Sequence, residues 1–217
     1  MGTVIPLGNA SRRSRRFAMV TALIIAANAW VFILELQGGD VFVTRWAVIP
    51  TSISSGHAWI TPLTAMFMHG SWLHILGNMI FLWAFGPEIE DAMGPMRYLL
   101  FYLMGGVIAM LAQVAGSPAS TVPCIGASGA IAAVMGAFIV MFPRDRIRSV
   151  LIILVFVSIA RIPAALLIGI WFVIQLLDAG AVANVQTGGV AYLAHVGGFL
   201  FGAATVRLWV RKRAYPQ

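Results

Sequence analysis

Cys124-Ile125-Gly126-Ala127-Ser128-Gly129-Ala130-Ile131-Ala132-Ala133-Val134-Met135-Gly136 sets a serine between two glycines at the head of an apolar run. Glycine adopts dihedrals that a Cβ forbids and lets other backbone come close. A helix beginning near Ser128 leaves its first amides without partners inside the helix. Such amides can steady a developing negative charge. The stretch also reads as a plain packing face. Ser128, Ala132 and Gly136 recur at intervals of four, as do Gly129 and Ala133. Small residues at that spacing let a neighbouring membrane helix approach closely.

Composition sets the setting for this stretch. The chain has 217 residues, 60% of them hydrophobic and 10% charged. Soluble domains carry about 25% charge. With a mean hydropathy of +0.92, the chain reads as an all-α polytopic membrane protein whose partner is the lipid bilayer. A net charge of +7 would suggest nucleic acid in a soluble chain. Here the basic residues gather at the ends and in short loops, so topology explains them and no nucleic-acid partner is expected. The single cysteine, Cys124, excludes an intrachain disulfide framework and a Cys-based structural zinc site.

Read outward from Ser128, the pattern gives six spans within a core of residues 17–210. They cover residues 17–36, 73–85, 96–115, 126–142, 164–177 and 190–210. Residues 1–16, ending in Arg12, Arg13, Arg15 and Arg16, form a basic cytoplasmic tail, and residues 211–217 form another. Glu35 and Asp40 are expected to meet water at the outer end of the first span. Residues 37–72, interrupted by Pro50 and Pro62, read as short interfacial helices. Residues 86–95 read as a compact turn whose acids cap helix ends. Residues 149–162 are placed along the inner interface with Arg161 among headgroups, and residues 178–189 form an outer loop. Of the fourteen Lys and Arg residues only Arg45 falls outside. Both termini are therefore expected in the cytoplasm.

In that topology Ser128, His195, His74 and Asn78 share one depth, on spans four, six and two. A serine hydroxyl is a weak nucleophile and needs an adjacent base. His195 is the only histidine in the second half of the chain. Gly198 and Gly202 follow it, so its face can pack on the small face of span four and bring the imidazole to Ser128. The alternative for His195 is an interhelical hydrogen bond. No acid lies near it in sequence, and Asp178 sits across a loop, so a Ser-His dyad is more economical than a triad. His74 and Asn78 lie four apart on one helical face. They are either helix-to-helix hydrogen bonders or donors aimed at an oxyanion. No histidine begins a His-Glu-x-x-His zinc motif, and no cofactor or metal is expected. A transporter stays open, because polar groups at matching depth also line substrate pathways.

Three motifs, Gly126-Ala127-Ser128-Gly129, His74-Ile75-Leu76-Gly77-Asn78, and Ala194-His195 followed by Gly198 and Gly202, resemble the rhomboid family of intramembrane serine proteases. The resemblance covers about residues 17–210. It implies a six-transmembrane-helix rhomboid-like bundle with its active site in a water-filled cavity open to the outer face. It implies Ser128 as nucleophile, His195 as general base, and an oxyanion hole built from Asn78, His74 and the Ser128 amide. It also implies transmembrane protein substrates and a multi-pass place in the cell membrane, plasma or inner. Glu90 and Gly94 match the family's turn after the second span, and His69 matches a position that is often histidine. Ala132 departs from the pattern. Some relatives carry an aromatic residue there that packs on the histidine, so other packing must orient His195. The alternative function is a non-catalytic rhomboid-like binder of client membrane proteins.

Overall fold

A computed structural model describes residues 3–12, 14, 16–153, 156–182 and 191–210. Arg13, Arg15, Val190, most of the expected 178–189 loop, and the 211–217 tail with Arg211, Lys212 and Arg213 lie outside the described residues. The elements, in chain order, are β1 (Thr3–Asn9), α1 (Met19–Trp46), α2 (Pro50–Ser54), α3 (Thr61–Thr64), a 3-10 turn (Ala65–Phe67), α4 (Trp72–Met93), α5 (Pro95–Gly116), α6 (Ser128–Met141), β2 (Arg146–Ile153), β3 (Phe156–Pro163), α7 (Ala164–Val182) and α8 (Tyr192–Trp209). The chain is mostly helical. By length and composition α1 and α5 can each cross a membrane, while α6 and residues Ala164–Ala179 are apolar but shorter.

The expectation of an all-α chain is corrected by β1, β2 and β3, which form one antiparallel sheet in that order. Residues 149–162, placed along an interface by the sequence, belong to the β2–β3 pair, and residues 3–9 of the expected tail are β1. The physical reason is local. These segments are rich in Val and Ile, whose branched side chains pack well on a pleated surface. Along β2, Ile147 and Ser149 are buried while Arg146 and Arg148 are exposed, the period of a half-buried strand. Arg161 sits on β3 directly opposite Arg148. Pro6 cannot donate to a ladder, which suits the edge strand β1. Asp145 fastens the sheet. Its carboxylate accepts from Asn9 Nδ2 at 2.7 Å and from two nitrogens of Arg12 at 2.5 and 3.0 Å.

Two further expectations change. Residues 86–95 are not a compact turn, because α4 runs through Gly86 and Pro87 to Met93. Proline inside a helix is tolerated where neighbouring groups compensate for the lost bond. Gly86 sits tight there, since a Cβ would lie 2.7 Å from the Tyr98 hydroxyl. The chain reverses only at Gly94, whose φ of +82° favours glycine, and Pro95 then opens α5. Glu90, in the last turn of α4, accepts from the Val20 and Thr21 amides at 2.9 and 2.8 Å. It thereby caps the open first turn of α1. Glu35 does not meet water. It is buried, and its Oε2 accepts from the His69 amide at 2.8 Å. Asp40, past the kink in α1 at Gly39, is exposed.

Helix α6 occupies the centre, with almost every residue buried. Its glycine and alanine face meets α8 backbone to backbone. A Cβ at Gly198 would lie 2.1 Å from the Gly129 carbonyl oxygen, one at Gly202 1.9 Å from that of Ala133, and one at Gly136 2.1 Å from that of Phe199. Aromatic side chains fill the space below, with Phe85, Phe101, Tyr98 and Phe138 wholly buried.

Gly202→Ala is therefore expected to force α6 and α8 apart and to cost about 1–3 kcal/mol, the usual price of overpacking. Gly169→Ala on α7, where a Cβ would meet nothing within 4 Å, is expected to leave stability unchanged or slightly raised. Thermal unfolding in detergent micelles measures both.

Candidate active site

Three contacts bring the chain into α6 at a fixed angle. Val48 and Cys124 exchange backbone hydrogen bonds of 3.1 and 2.7 Å, and the Gly126 amide donates to Ala65 at 2.9 Å. Gly126 then turns at φ +129°, a conformation that L side chains rarely adopt. Its Cα faces the His74 imidazole, where a Cβ would sit 3.0 Å from Nε2. Ser128 follows as the first residue of α6. Its amide thus belongs to the helix end that has no internal acceptor.

His195 lies in the first turn of α8 and is buried. Its Nε2 is 2.7 Å from Ser128 Oγ, across 67 positions of sequence. Its Nδ1 is 2.5 Å from Oε1 of Gln175, a buried residue of α7. Trp171, one turn before Gln175, sets its ring 5.6 Å from the imidazole. Neither Gln175 nor Trp171 was marked from the sequence. The available signal was an uncharged polar group inside an apolar stretch, four residues after an aromatic. Asp178, the acid nearest to His195 in sequence, is three positions further on, and Gln175 is the side chain that meets Nδ1.

Asn78 and His74 stand on α4, where Ser71 Oγ caps the helix by accepting from the His74 amide. Both line the cavity that Ser128 and His195 line, a space of about 860 Å³ whose walls include Gly70, Ile125, Met135 and Trp171. All four residues singled out from the sequence therefore surround one cavity. Asn78 Nδ2 is buried and has no hydrogen-bond partner among the described residues. The His69 ring stacks edge-on to His74 at 5.0 Å and does not line the cavity. Burial, with help from the His74 charge, pushes His69 down to about 4. It is therefore neutral at pH 7.

The arrangement suits proton transfer from a hydroxyl to an imidazole. Cys124, which also lines the cavity, is a poor rival as nucleophile. Burial pushes its thiol up to about 11, and the thiolate is the reactive form. Among the described residues no group of three or more His, Cys, Asp or Glu side chains could hold a metal ion.

The model of the family described as Rhomboid domain matches residues 56–212. The chain is similar to the rhomboid protease GluP of Bacillus subtilis, 33% identical over 131 residues, which is 58% of this chain and 25% of that protein. It is similar to the putative rhomboid protease YdcA of the same organism, 28% identical over 129 residues, 58% of this chain and 64% of the relative. It is also similar to the human mitochondrial presenilin-associated rhomboid-like protein, 33% identical over 128 residues, 57% of this chain and 33% of the relative. The match thus spans from a quarter to under two thirds of these relatives' lengths.

Two outcomes test the geometry. Gly126→Ala is expected to strain the turn and press on His74, lowering any serine-directed labelling rate severalfold while the protein still folds. Thiol alkylation at pH 7 is expected to be slow at Cys124 and to accelerate as pH rises toward about 11, because the thiolate fraction grows only as that value is approached. Mass spectrometry of timed alkylation checks the second, and a labelling time course the first.

Proposed function

Because the chain belongs to the rhomboid family and is an integral membrane protein, we propose that it is an intramembrane serine endopeptidase that cuts transmembrane or juxtamembrane segments of other membrane proteins. The observation that carries this reading is the 2.7 Å approach of His195 Nε2 to Ser128 Oγ at the wall of a cavity large enough for a peptide segment.

The chemistry follows from the positions. His195 takes the Ser128 proton through Nε2 as Oγ attacks the carbonyl carbon of the scissile bond. The carbonyl oxygen becomes an oxyanion, met by Asn78 Nδ2, the His74 ring and the Ser128 amide. The unpartnered state of Asn78 Nδ2 supports this role, since a donor without a ground-state partner is free for charge that develops later. His195 then gives its proton to the leaving amine. The acyl-enzyme that remains is hydrolysed by a water whose proton passes to His195. A helical substrate must unwind locally before its carbonyl can be reached, so helix-weakening residues near the cut are favoured.

We further infer a six-span topology, with α1, α4, α5, α6, α7 and α8 crossing and the cavity on the outer side of the cell membrane. Ser128, His195 and His74 all stand at the cavity ends of their helices. Arg97, Arg144, Arg146, Arg148, Arg161 and Arg207 belong to segments at the other ends. That bias supports cytoplasmic termini.

A fluorophosphonate probe is expected to label the wild type and not Ser128→Ala or His195→Ala. A single-span substrate in proteoliposomes is expected to be cleaved by the wild type alone. Asn78→Ala is expected to lower the cleavage rate by about 10²–10³ with little loss of stability, since it leaves no partner unsatisfied. Cleavage that persists in Ser128→Ala overturns the reading. Client capture without labelling points instead to a non-catalytic binder.

A further inference from the structure

We propose that Gln175 is a positioning residue for the base: its side-chain oxygen accepts the Nδ1 proton of His195 and so presents Nε2, bare, to the Ser128 hydroxyl. This rests on the serine-protease reading and deepens it.

A neutral imidazole has two tautomers, and the hydrogen bond at one nitrogen decides which nitrogen is free. With its proton on Nε2 the ring would donate to Ser128 and could not take the hydroxyl proton. An amide oxygen can only accept. The 2.5 Å contact between Gln175 Oε1 and His195 Nδ1 therefore fixes the proton on Nδ1. The 2.7 Å contact at Nε2 is then a hydroxyl donating to the base.

The ring is held in place from the same side. Trp171 lies 5.6 Å from the imidazole on α7, and α7 is fastened to α8 nearby by Phe172 stacked on Phe199 at 4.1 Å. This answers the departure at Ala132, which is wholly buried in the core and carries no ring to place on His195. Orientation has moved from α6 to α7. Other groups around the imidazole are His74 on α4, which lines the same cavity, Ser128 on α6 and Tyr192 on α8. No carboxylate among the described residues hydrogen-bonds to it. A neutral amide suits this place, because an ionised carboxylate among apolar side chains is costly to bury.

The test uses the full chain in proteoliposomes. Wild type, Gln175→Leu, Gln175→Glu and Ser128→Ala are compared by fluorophosphonate labelling and by kcat and KM on a single-span substrate across pH, with thermal unfolding measured alongside. Gln175→Leu is expected to lower kcat and labelling rate by about 10²-fold with KM and unfolding temperature little changed. That is less than the ~10⁴ seen when a triad carboxylate is lost and the tautomer inverts. Gln175→Glu restores the acceptor and is expected to recover most of the rate. Its acid limb should move to higher pH, because a carboxylate beside Nδ1 favours the imidazolium and the base must be neutral to act. A Gln175→Leu protein with wild-type rate and pH profile overturns the proposal while the protease reading stands. So does a loss that follows unfolding temperature and that glutamate does not rescue. If Gln175→Leu fails to fold, Gln175→Glu decides alone, and an unmoved acid limb overturns the proposal. A wild type that neither labels nor cleaves takes down the protease reading and this inference together.

Discussion

Everything at the site depends on how closely two backbones approach. Gly198 and Gly202 on α8 press on the Gly129 and Ala133 carbonyls of α6, and Gly136 on α6 presses on the Phe199 carbonyl, with no room for a Cβ at any of the three glycines. In an apolar solvent the hydrophobic effect does little to join helices, so close packing and satisfied polar groups must do it. The same contact sets the distance between the serine at the start of α6 and the histidine at the start of α8. Stability and site geometry are thus one constraint. Alanine, the usual helix-favouring choice, would be the wrong residue at these positions.

Around that contact, buried polar groups divide into two kinds. One kind is paired and structural. Glu90 caps α1, Glu35 holds the His69 amide, and Asp145 binds Asn9 and Arg12 where the sheet meets the helices. The other kind is left without a partner among the described residues or pointed into the cavity. Asn78 Nδ2 is the clearest case. A buried donor without a partner costs free energy in the resting protein. In the proposed hydrolysis, negative charge would develop beside this donor, and that cost would become differential stabilisation of the transition state.

The sequence made the helices and the candidate site legible for definite reasons. Long apolar runs around Met19, Pro95 and Ser128 leave little choice but helices. Small residues at intervals of four on α6, and Gly198 and Gly202 on α8, announce a close crossing before any coordinate is known. The sheet was hidden because β2 and β3 look like one apolar segment broken by Arg161. Their backbone groups pair with each other, and β1 from the far N-terminus covers the other edge of β2. The α4 extension was hidden because Gly-Pro punctuation usually marks a turn, whereas packing against Tyr98 and Thr21 holds the helix together. Glu35 was placed in water by its charge, but the amide of His69, distant in sequence, draws it inward.

By itself the sequence pointed to Ser128, His195, His74 and Asn78 as one group, which line one cavity, because helical periodicity and the bounds of apolar runs are local properties. It could not determine which side chain meets His195 Nδ1. Gln175 is a lone amide in an apolar helix, and nothing in its neighbours says whether it faces lipid, a helix or a cavity. Tertiary structure decided that by the rotation of α7 about its axis and its packing against α8, which bring Oε1 to Nδ1. Rotational setting is fixed by contacts between distant segments, so no window of sequence contains it.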